Sequence, residues 1–255
     1  MTIERMRDEL EPFYDHFDSI VEDCIRPKVT SGQFKYFEAC RFKLKSISYI
    51  KRHIEELDNK YKKFLSLCIS QGSLDKLTLR FDETWGEGYS LYFPFFEALE
   101  FENLLAQGKA CLDCFSKAIG SFYHESPNNI TKLINILKKR PRDAKIEKIL
   151  NIIQNKQRLN GVIINPNTER KNSLRDLITH RERVDLFFTI RMDHDKGEYA
   201  LSHGALVNMR HPAIKKLQNY RVTEISSNMY FYLLNIIENC FKELFDISDA
   251  TYANG

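Results

Sequence analysis

A chain of 255 residues, 43% of them hydrophobic, can bury a sizeable core, so a disordered chain is excluded. Charged residues make up 29% of the chain but nearly cancel to a net charge of +3, which excludes a protein that coats nucleic acid through charge alone. The first residues alternate charged and apolar side chains, and the longest apolar run, MYFYLLNII, is about half of the ~20 residues that span a bilayer. We therefore expect a soluble, cytoplasmic protein with no signal peptide and no membrane partner.

Two helices dominate the N-terminal part of the chain. The pattern predicts a first helix over residues 2–25, which ends before Pro27 and Gly32. Apolar residues then recur every three or four positions from Phe37 to Cys68, which predicts a second helix of about 35 residues, roughly 50 Å long. We expect these two helices to pack as an antiparallel hairpin.

Alternation of apolar and polar residues predicts two β-hairpins. In the first, over residues 76–93, Leu79 and Phe81 alternate with polar residues before a turn at Gly86. In the second, over residues 184–207, the alternation continues on both sides of a polar tip, DHDKGE.

Helical periodicity accounts for most of the remaining chain. It predicts helices over residues 95–123, 130–139, 144–156 and 221–245. The sequence therefore predicts a mainly α-helical fold in two parts. The first, residues 1–94, holds the long helical hairpin and a β-hairpin packed on the second, residues 95–255, a helical bundle with an inserted β-hairpin.

Six cysteines lie mostly at apolar helical positions, and a chain of this size does not need disulfides, so we predict reduced thiols in the core. Cys111 and Cys114 have the spacing of half a zinc site. Helical periodicity accounts for this spacing and no second Cys or His pair follows at zinc-ligand spacing, so core packing is the favoured interpretation. The DHDKGE segment lacks the glycine and glutamate spacing of a calcium loop. No metal site and no cofactor are predicted.

Positive charge concentrates around a proline turn in KKRPRDAKIEK. Lys138, Lys139, Arg140 and Arg142 could hold the phosphates of RNA at this turn. The alternative is a solvated helix end, since Lys and Arg also favour the C-terminus of a helix through its dipole. No aromatic residues are interleaved as in proteins that bind single strands, which favours the alternative.

The segment NSLRDLITH places Arg175 and His180 five positions apart on a predicted helix. An arginine and a histidine at this or a neighbouring spacing are expected about 1.3 times by chance in such a chain, and about 0.2 times if a polar residue such as Asp176 must follow the arginine. On a helix, both side chains border the polar side of an apolar stripe that begins at Leu174. Boundary residues of a surface helix are the alternative interpretation of the pair.

This segment resembles the HEPN superfamily of helical-bundle proteins, whose ribonuclease members carry an arginine, four to six residues and a histidine, usually with a polar residue after the arginine. Arg175, Asp176 and His180 match that motif, and the layout of residues 95–245 is similar to that of bacterial members. The resemblance implies an HEPN-like bundle that forms a homodimer and cleaves RNA without a metal or cofactor. It also implies a toxin or antiviral effector, with an antitoxin or another regulatory protein as a partner.

The implied reaction is attack of a ribose 2′-hydroxyl on the neighbouring phosphodiester. Imidazole exchanges protons near neutral pH, so His180 suits proton transfer, while the permanently charged Arg175 suits stabilisation of the phosphorane and Asp176 would orient one of them or contact the ribose. On one helix Arg175 and His180 lie about 140° apart and about 7.5 Å along the axis, so we expect a two-fold axis to gather two copies of each in one cleft. The alternative is a non-catalytic HEPN-like interaction or ligand-sensing module, in which this helix only builds the dimer.

Overall fold

The computed structural model describes residues 16–72, 79–81, 89–92, 95–141, 143–164, 173–180, 186–193, 198–201, 206–207 and 221–248. Its α-helices are α1 (Ser31–Ser70), α2 (Phe95–Phe122), α3 (Ile130–Lys139), α4 (Ala144–Gln154), α5 (Leu174–His180) and α6 (Val222–Phe245). Its strands are β1 (Leu79–Phe81), β2 (Tyr89–Tyr92), β3 (Leu186–Asp193), β4 (Glu198–Leu201) and β5 (Leu206–Val207). The fold is mainly α-helical, as predicted. Within the described residues, no helix is both long and apolar enough to cross a membrane.

Three short helical segments of different types precede α1. Residues 16–19 are α-helical and continue into a π-helix, Ile20–Ile25, and a 3-10 helix, Arg26–Lys28. The backbone N–H of Gln33 then donates to Thr30 Oγ1 at 3.3 Å, and the N–H of Thr30 donates to Gln33 Oε1 at 3.0 Å. This capping box starts α1 before the apolar pattern that begins at Phe37. Residues 2–15 of the predicted first helix lie outside the described residues.

Helix α1 is 40 residues long, which corresponds to about 60 Å. Residues 16–25 pack against its first part through ion pairs that join Asp18 with Lys45 and Glu22 with Arg41, the second at 2.6 Å. The later residue of the first segment, Glu22, pairs with the earlier residue of α1, Arg41, so the two segments run antiparallel. The predicted long helix is confirmed, and so is the antiparallel pairing over the described residues.

Packing divides the chain into two compact units. Unit 1 consists of Met1–Ile47, Gln107–Arg158 and Tyr230–Gly255, and unit 2 of Ser48–Ala106 and Leu159–Met229. This division differs from the predicted boundary between residues 94 and 95, since each unit takes residues from both sides of it. The long helices α1, α2 and α6 each contribute to both units, so no boundary in chain order can separate them.

An aromatic cluster forms much of the core of unit 1. The ring of Phe241 in α6 lies 5.0 Å from that of Phe37 in α1 and 6.0 Å from that of Phe115 in α2, measured between centroids. All three side chains are fully buried. Phe17 and Phe245 extend the cluster on either side. Aromatic pairs at these distances add to the free energy gained from burial, so α6 is central to the core of this unit.

Three of the six cysteines have the predicted core role, and the other three are partly exposed. All six are free thiols, and Cys40, Cys111 and Cys240 are buried. In unit 1 the sulfur of Cys40 lies 4.0 Å from the carbonyl oxygen of Cys111, whose own sulfur lies 3.9 Å from the carbonyl oxygen of Cys40. Burial raises the pKa of the Cys40 thiol and, less strongly, that of half-buried Cys114. Both thiols are therefore held in the neutral form that suits packing.

The strands form one antiparallel sheet in unit 2, in the order β1-β2-β3-β4, with β5 also paired to β3. Strand β2 pairs with β3, so that Tyr89 lies opposite Ile190 and Tyr92 opposite Phe187. The two strand segments were predicted as separate hairpins, and this pairing joins them instead. An isolated hairpin is marginal in water, whereas several strands that bury residues such as Phe188 are stable. The turns at residues 82–88 and 194–197 lie outside the described residues.

Helix α2 ends where the chain turns back at Pro127. A Cβ atom on Gly120 would lie 2.2 Å from Pro127 Cδ, so only glycine fits at this position. The N–H of Glu125 donates to the Gly120 carbonyl at 2.9 Å, and His124 adopts the left-handed conformation with φ +59°. Helix C-termini commonly end in this way, so these residues explain the end of the helix.

Helices α3 and α4 each begin at a side-chain cap. Asn129 Oδ1 accepts from the N–H of Lys132 at 2.9 Å, and Asp143 Oδ1 accepts from the N–H of Ile146 at 2.7 Å. These caps fix the predicted starts of both helices. Helix α4 ends at Gln154 and gives way to a 3-10 helix, Asn155–Leu159, slightly before the predicted end at residue 156.

Candidate functional site

Helix α5, which carries the Arg175-to-His180 segment, is anchored at its N-terminus. The N–H groups of Leu174 and Arg175 donate to the carbonyl oxygens of Gly161 and Val162, at 2.5 and 2.9 Å. Ser173 precedes the helix, and its hydroxyl accepts from the N–H of Asp176 at 3.2 Å and donates to Asp176 Oδ2 at 3.0 Å. This reciprocal cap fixes the carboxylate of Asp176 relative to the helix.

Asp176 in turn holds the guanidinium of Arg175. Arg175 Nη1 lies 2.8 Å from Asp176 Oδ1, and the two side chains are 29% and 21% exposed. A half-buried pair is screened less by water than a surface pair, so its geometry is better defined. Ser173, Asp176 and Arg175 therefore form a chain of contacts that holds the guanidinium of Arg175 in a fixed position.

Arg175 lines an open pocket between α2 and α5 in unit 2. The pocket has a volume of about 540 Å³, and its other walls are Leu99, Glu100, Glu102, Asn103, Leu105, Ala106 and Ile178. This volume is in the range of small-molecule sites. Arg175 is the one basic side chain among these lining residues. The pocket thus offers one fixed cation together with acidic, amide and apolar groups.

The third predicted catalytic residue, His180, is the last residue of α5. Its backbone continues the helix from Arg175, as expected, but its side chain lies outside the part of the chain that the structure describes. The structure therefore brings Arg175 and Asp176 together at the pocket. The predicted meeting of Arg175 with His180 stays a prediction.

A histidine that sequence reasoning missed lies beside the same pocket. His53 Nδ1 in α1 is 3.0 Å from Oε1 of Glu100, and Glu100 is a lining residue. An ionised carboxylate only accepts hydrogen bonds, so Nδ1 is the donor in this pair. His53 and Glu100 are far apart in sequence and on different helices, so no local spacing could have revealed the pair.

Unit 2 also buries an acidic pair between α1 and α2. Glu97 and Asp58 are 0% and 1% exposed, and Asp58 Oδ2 is 2.5 Å from Lys62 Nζ. Neither carboxyl oxygen of Glu97 has a hydrogen-bond partner among the described residues. Burial, with the Asp58 carboxylate as a second cause, raises the pKa of Glu97 to about 8, although the Lys62 ammonium opposes this. Glu97 is therefore mostly uncharged at neutral pH.

The described residues of the basic turn between α3 and α4 do not share a single cationic face. Lys138 and Lys139 are exposed near the end of α3, where the helix dipole favours them. Arg140 instead turns inward, with its guanidinium 4.9 Å from the ring centroid of Tyr123. Arg142 lies outside the described residues. Of the four predicted RNA-binding residues, Lys138 and Arg140 line a second pocket, in unit 1.

The Arg175 pocket can bind an anionic or polar group and position it next to hydrogen-bonding side chains. A fixed guanidinium suits phosphate, and a histidine held by a carboxylate suits proton transfer. Both are parts of many hydrolytic and phosphoryl-transfer sites, so the geometry alone fits several reactions. Comparison of the chain with protein-family models, with curated proteins and with solved structures finds no match.

Proposed function

We propose that this protein is an HEPN-type endoribonuclease that acts as a homodimer, with Arg175, Asp176 and His180 in a shared site. One observation carries the proposal: the guanidinium of Arg175 is held by Asp176 and lines an open pocket large enough for a nucleotide. A preorganised cation of this kind stabilises a pentacovalent phosphorane without having to reorganise during the reaction. The match of the three residues to the HEPN motif supplies the reaction class.

In the proposed reaction the 2′-oxygen of a ribose attacks the adjacent phosphorus. The 2′-hydroxyl gives up its proton, the bond from phosphorus to the 5′-oxygen breaks, and that oxygen gains a proton. His180 mediates these transfers, and Arg175 neutralises the charge on the phosphorane. The products are one strand with a cyclic phosphate and one with a free 5′-hydroxyl.

Exposed apolar residues beside the pocket support the proposed dimer. Phe96 and Leu99 on α2 are both large and mostly exposed, and Leu99 lines the pocket next to Arg175. Apolar side chains grouped in this way are typical of protein interfaces. A second copy seated there would bring its own Arg175 and His180 to the same cleft.

Incubation of the purified protein with mixed RNA in excess EDTA tests the proposal. Cleavage that leaves cyclic phosphate ends is expected, because the attacking group belongs to the RNA itself, and DNA should remain intact. Arg175→Ala and His180→Ala should each lower the rate by about a hundredfold or more. Arg158→Ala removes an exposed arginine in unit 1 and serves as the matched control. Equal cleavage by all four proteins would refute the proposal.

A His53→Gln variant separates the two histidines. If His180 transfers the proton, loss of His53 should change the rate only modestly. Loss of cleavage in His53→Gln, with full activity in His180→Ala, would instead assign proton transfer to the pair of His53 and Glu100.

The second candidate function is a non-catalytic interaction or ligand-sensing module. The volume of the Arg175 pocket and the exposed Leu99 at its rim favour it. A stable dimer that shows no RNA cleavage under any of these conditions would select this function. A toxin or antiviral role, with an antitoxin or other regulatory partner, belongs to the first candidate and depends on its activity.

A further inference from the structure

A second open pocket lies in unit 1, beside the turn that joins α3 and α4. Its volume is about 510 Å³, and its walls are Leu137, Lys138, Arg140, Ile146, Glu147, Leu150, Asn151 and Gln154. It combines cationic, amide and apolar side chains on two helices with capped starts. The proposed ribonuclease site, in unit 2, does not include it.

The guanidinium of Arg140 is held in a fixed position at this pocket. Its Nη2 atom donates to the carbonyl oxygen of Tyr123 at 2.5 Å and lies 3.7 Å from Glu125 Oε1. The ring of Tyr123 supports it from one side, at 4.9 Å from the centroid. Arg140 Nε is buried and has no hydrogen-bond partner among the described residues. The side chain is thus positioned by the protein but is not fully neutralised by it.

Two lysines add further positive charge. Lys138 lines the pocket. The half-buried Lys156 lies close enough for the ammonium group of Lys138 to repel its own. Burial lowers the pKa of Lys156, and repulsion from Lys138 lowers it further. No ion pair or hydrogen bond joins Lys138 or Lys156 to another residue in the described parts of the chain. An anion between like charges would remove this repulsion, so the arrangement favours one.

The other walls suit an organic group attached to that anion. Leu137 and Ile146 are buried at the base of the pocket, and Leu150 is half-buried beside them. The amide of Gln154 donates to Asn151 Oδ1 at 3.4 Å, which leaves the Asn151 amide nitrogen as a donor. Glu147 is the acidic lining residue and can accept hydrogen bonds from amino groups. Apolar contact together with paired donors and acceptors matches a nucleobase.

We propose that this pocket binds one nucleotide, with its phosphate at Lys138 and Arg140 and its base against Leu150 and Asn151. The nucleotide is either free or one unit of an RNA strand, since both present the same phosphate and base. Binding here does not require cleavage at Arg175. The protein could therefore bind a nucleotide without cleaving RNA, or cleave RNA without binding a nucleotide at this pocket.

Calorimetric titration of the 255-residue chain with the four nucleoside monophosphates tests the proposal. At least one should bind in a saturable way, and more tightly than either inorganic phosphate or the matching nucleoside alone. Lys138→Gln should weaken this binding about fivefold or more, because it removes a contact to phosphate. Lys139→Gln removes the same charge from the next position, which does not line the pocket, and should change the affinity less than about twofold.

A short RNA with methylated 2′-hydroxyls identifies the source of the nucleotide, because such RNA cannot be cleaved by its own 2′-oxygen. If it displaces the bound monophosphate, the site accepts a strand, and if it does not, the site takes a free nucleotide. The proposal is overturned if no monophosphate binds, if phosphate alone binds equally well, or if Lys138→Gln and Lys139→Gln weaken binding equally. Thermal unfolding of each variant verifies that loss of binding is not loss of fold.

Discussion

At the scale of single residues, the most unusual group is the buried carboxyl of Glu97. A carboxylate without partners is costly to bury, and the nearby Asp58 adds repulsion, so the molecule keeps Glu97 protonated instead. Lys62 pairs with Asp58 and does not neutralise both acids. Folding in neutral solution therefore takes up a proton at this position.

This uptake makes stability depend on pH. The pKa of Glu97 is raised from 4.5 to about 8, so the folded state binds more protons than the unfolded chain between these values. The contribution is fully present below about pH 4.5 and is lost as the pH rises through 8. We expect wild-type protein to lose about 3 kcal/mol from this source between about pH 6 and about pH 9, and Glu97→Gln to lose much less.

Urea denaturation at both pH values measures the effect. Glu147→Gln is the control, because Glu147 is exposed and should leave the pH dependence unchanged. If the free energy of unfolding changes with pH by the same amount in wild type and in Glu97→Gln, then Glu97 does not take up the proton.

At the scale of elements, two glycines in helices should respond oppositely to alanine. At Gly120 the new methyl group would meet Pro127 at 2.2 Å, whereas at Gly32 the nearest side-chain atom is 4.0 Å away. We expect Gly120→Ala to destabilise the protein by about 2 kcal/mol or more, through overpacking, and Gly32→Ala to stabilise it by up to about 0.5 kcal/mol. Midpoints of thermal unfolding compare the two variants directly, and equal shifts would contradict the steric argument.

Local patterns could be predicted at this scale and distant pairings could not. The three-to-four residue repeat from Phe37 onward predicts α1, and helices α2, α3 and α6 begin and end within a few residues of their predicted bounds. The pairing of β2 with β3 was missed. Alternation of apolar and polar residues predicts a strand with one buried face, but it does not indicate which strand pairs with it. The capping box of Thr30 and Gln33 was also missed, although its two residues are only three positions apart in sequence.

The candidate site divides in the same way. Arg175 and Asp176 could be found because a motif on one helix holds both, and Ser173 caps that helix. The pair of His53 and Glu100 could not be found, since it forms only when α1 and α2 pack together. Glu97 was overlooked for a physical reason as well: a glutamate is rarely buried without a partner.

At the scale of the whole molecule, the proposed homodimer has a direct measurement. Light scattering at micromolar concentration should give close to twice the 30.1 kDa chain mass. Leu99→Asp should return the protein to a monomer, because it puts a charge into the proposed apolar contact beside Arg175. Phe42→Asp replaces another exposed apolar residue, in unit 1, and is the control. A monomeric wild-type protein would count against the shared catalytic cleft.

The five-stranded sheet has a consequence for the order of folding. Tyr92 in β2 pairs with Phe187 in β3, so the ends that must meet are 95 positions apart in the chain. During synthesis β1 and β2 emerge before β3, so the edge of β2 that pairs with β3 stays unpaired until β3 has been made. Closing so long a loop is entropically costly, and distant strand pairing is slow compared with helix formation. We therefore expect the helices to form early and the sheet to be completed last, with the open edge of β2 as the surface through which an unfinished chain would aggregate.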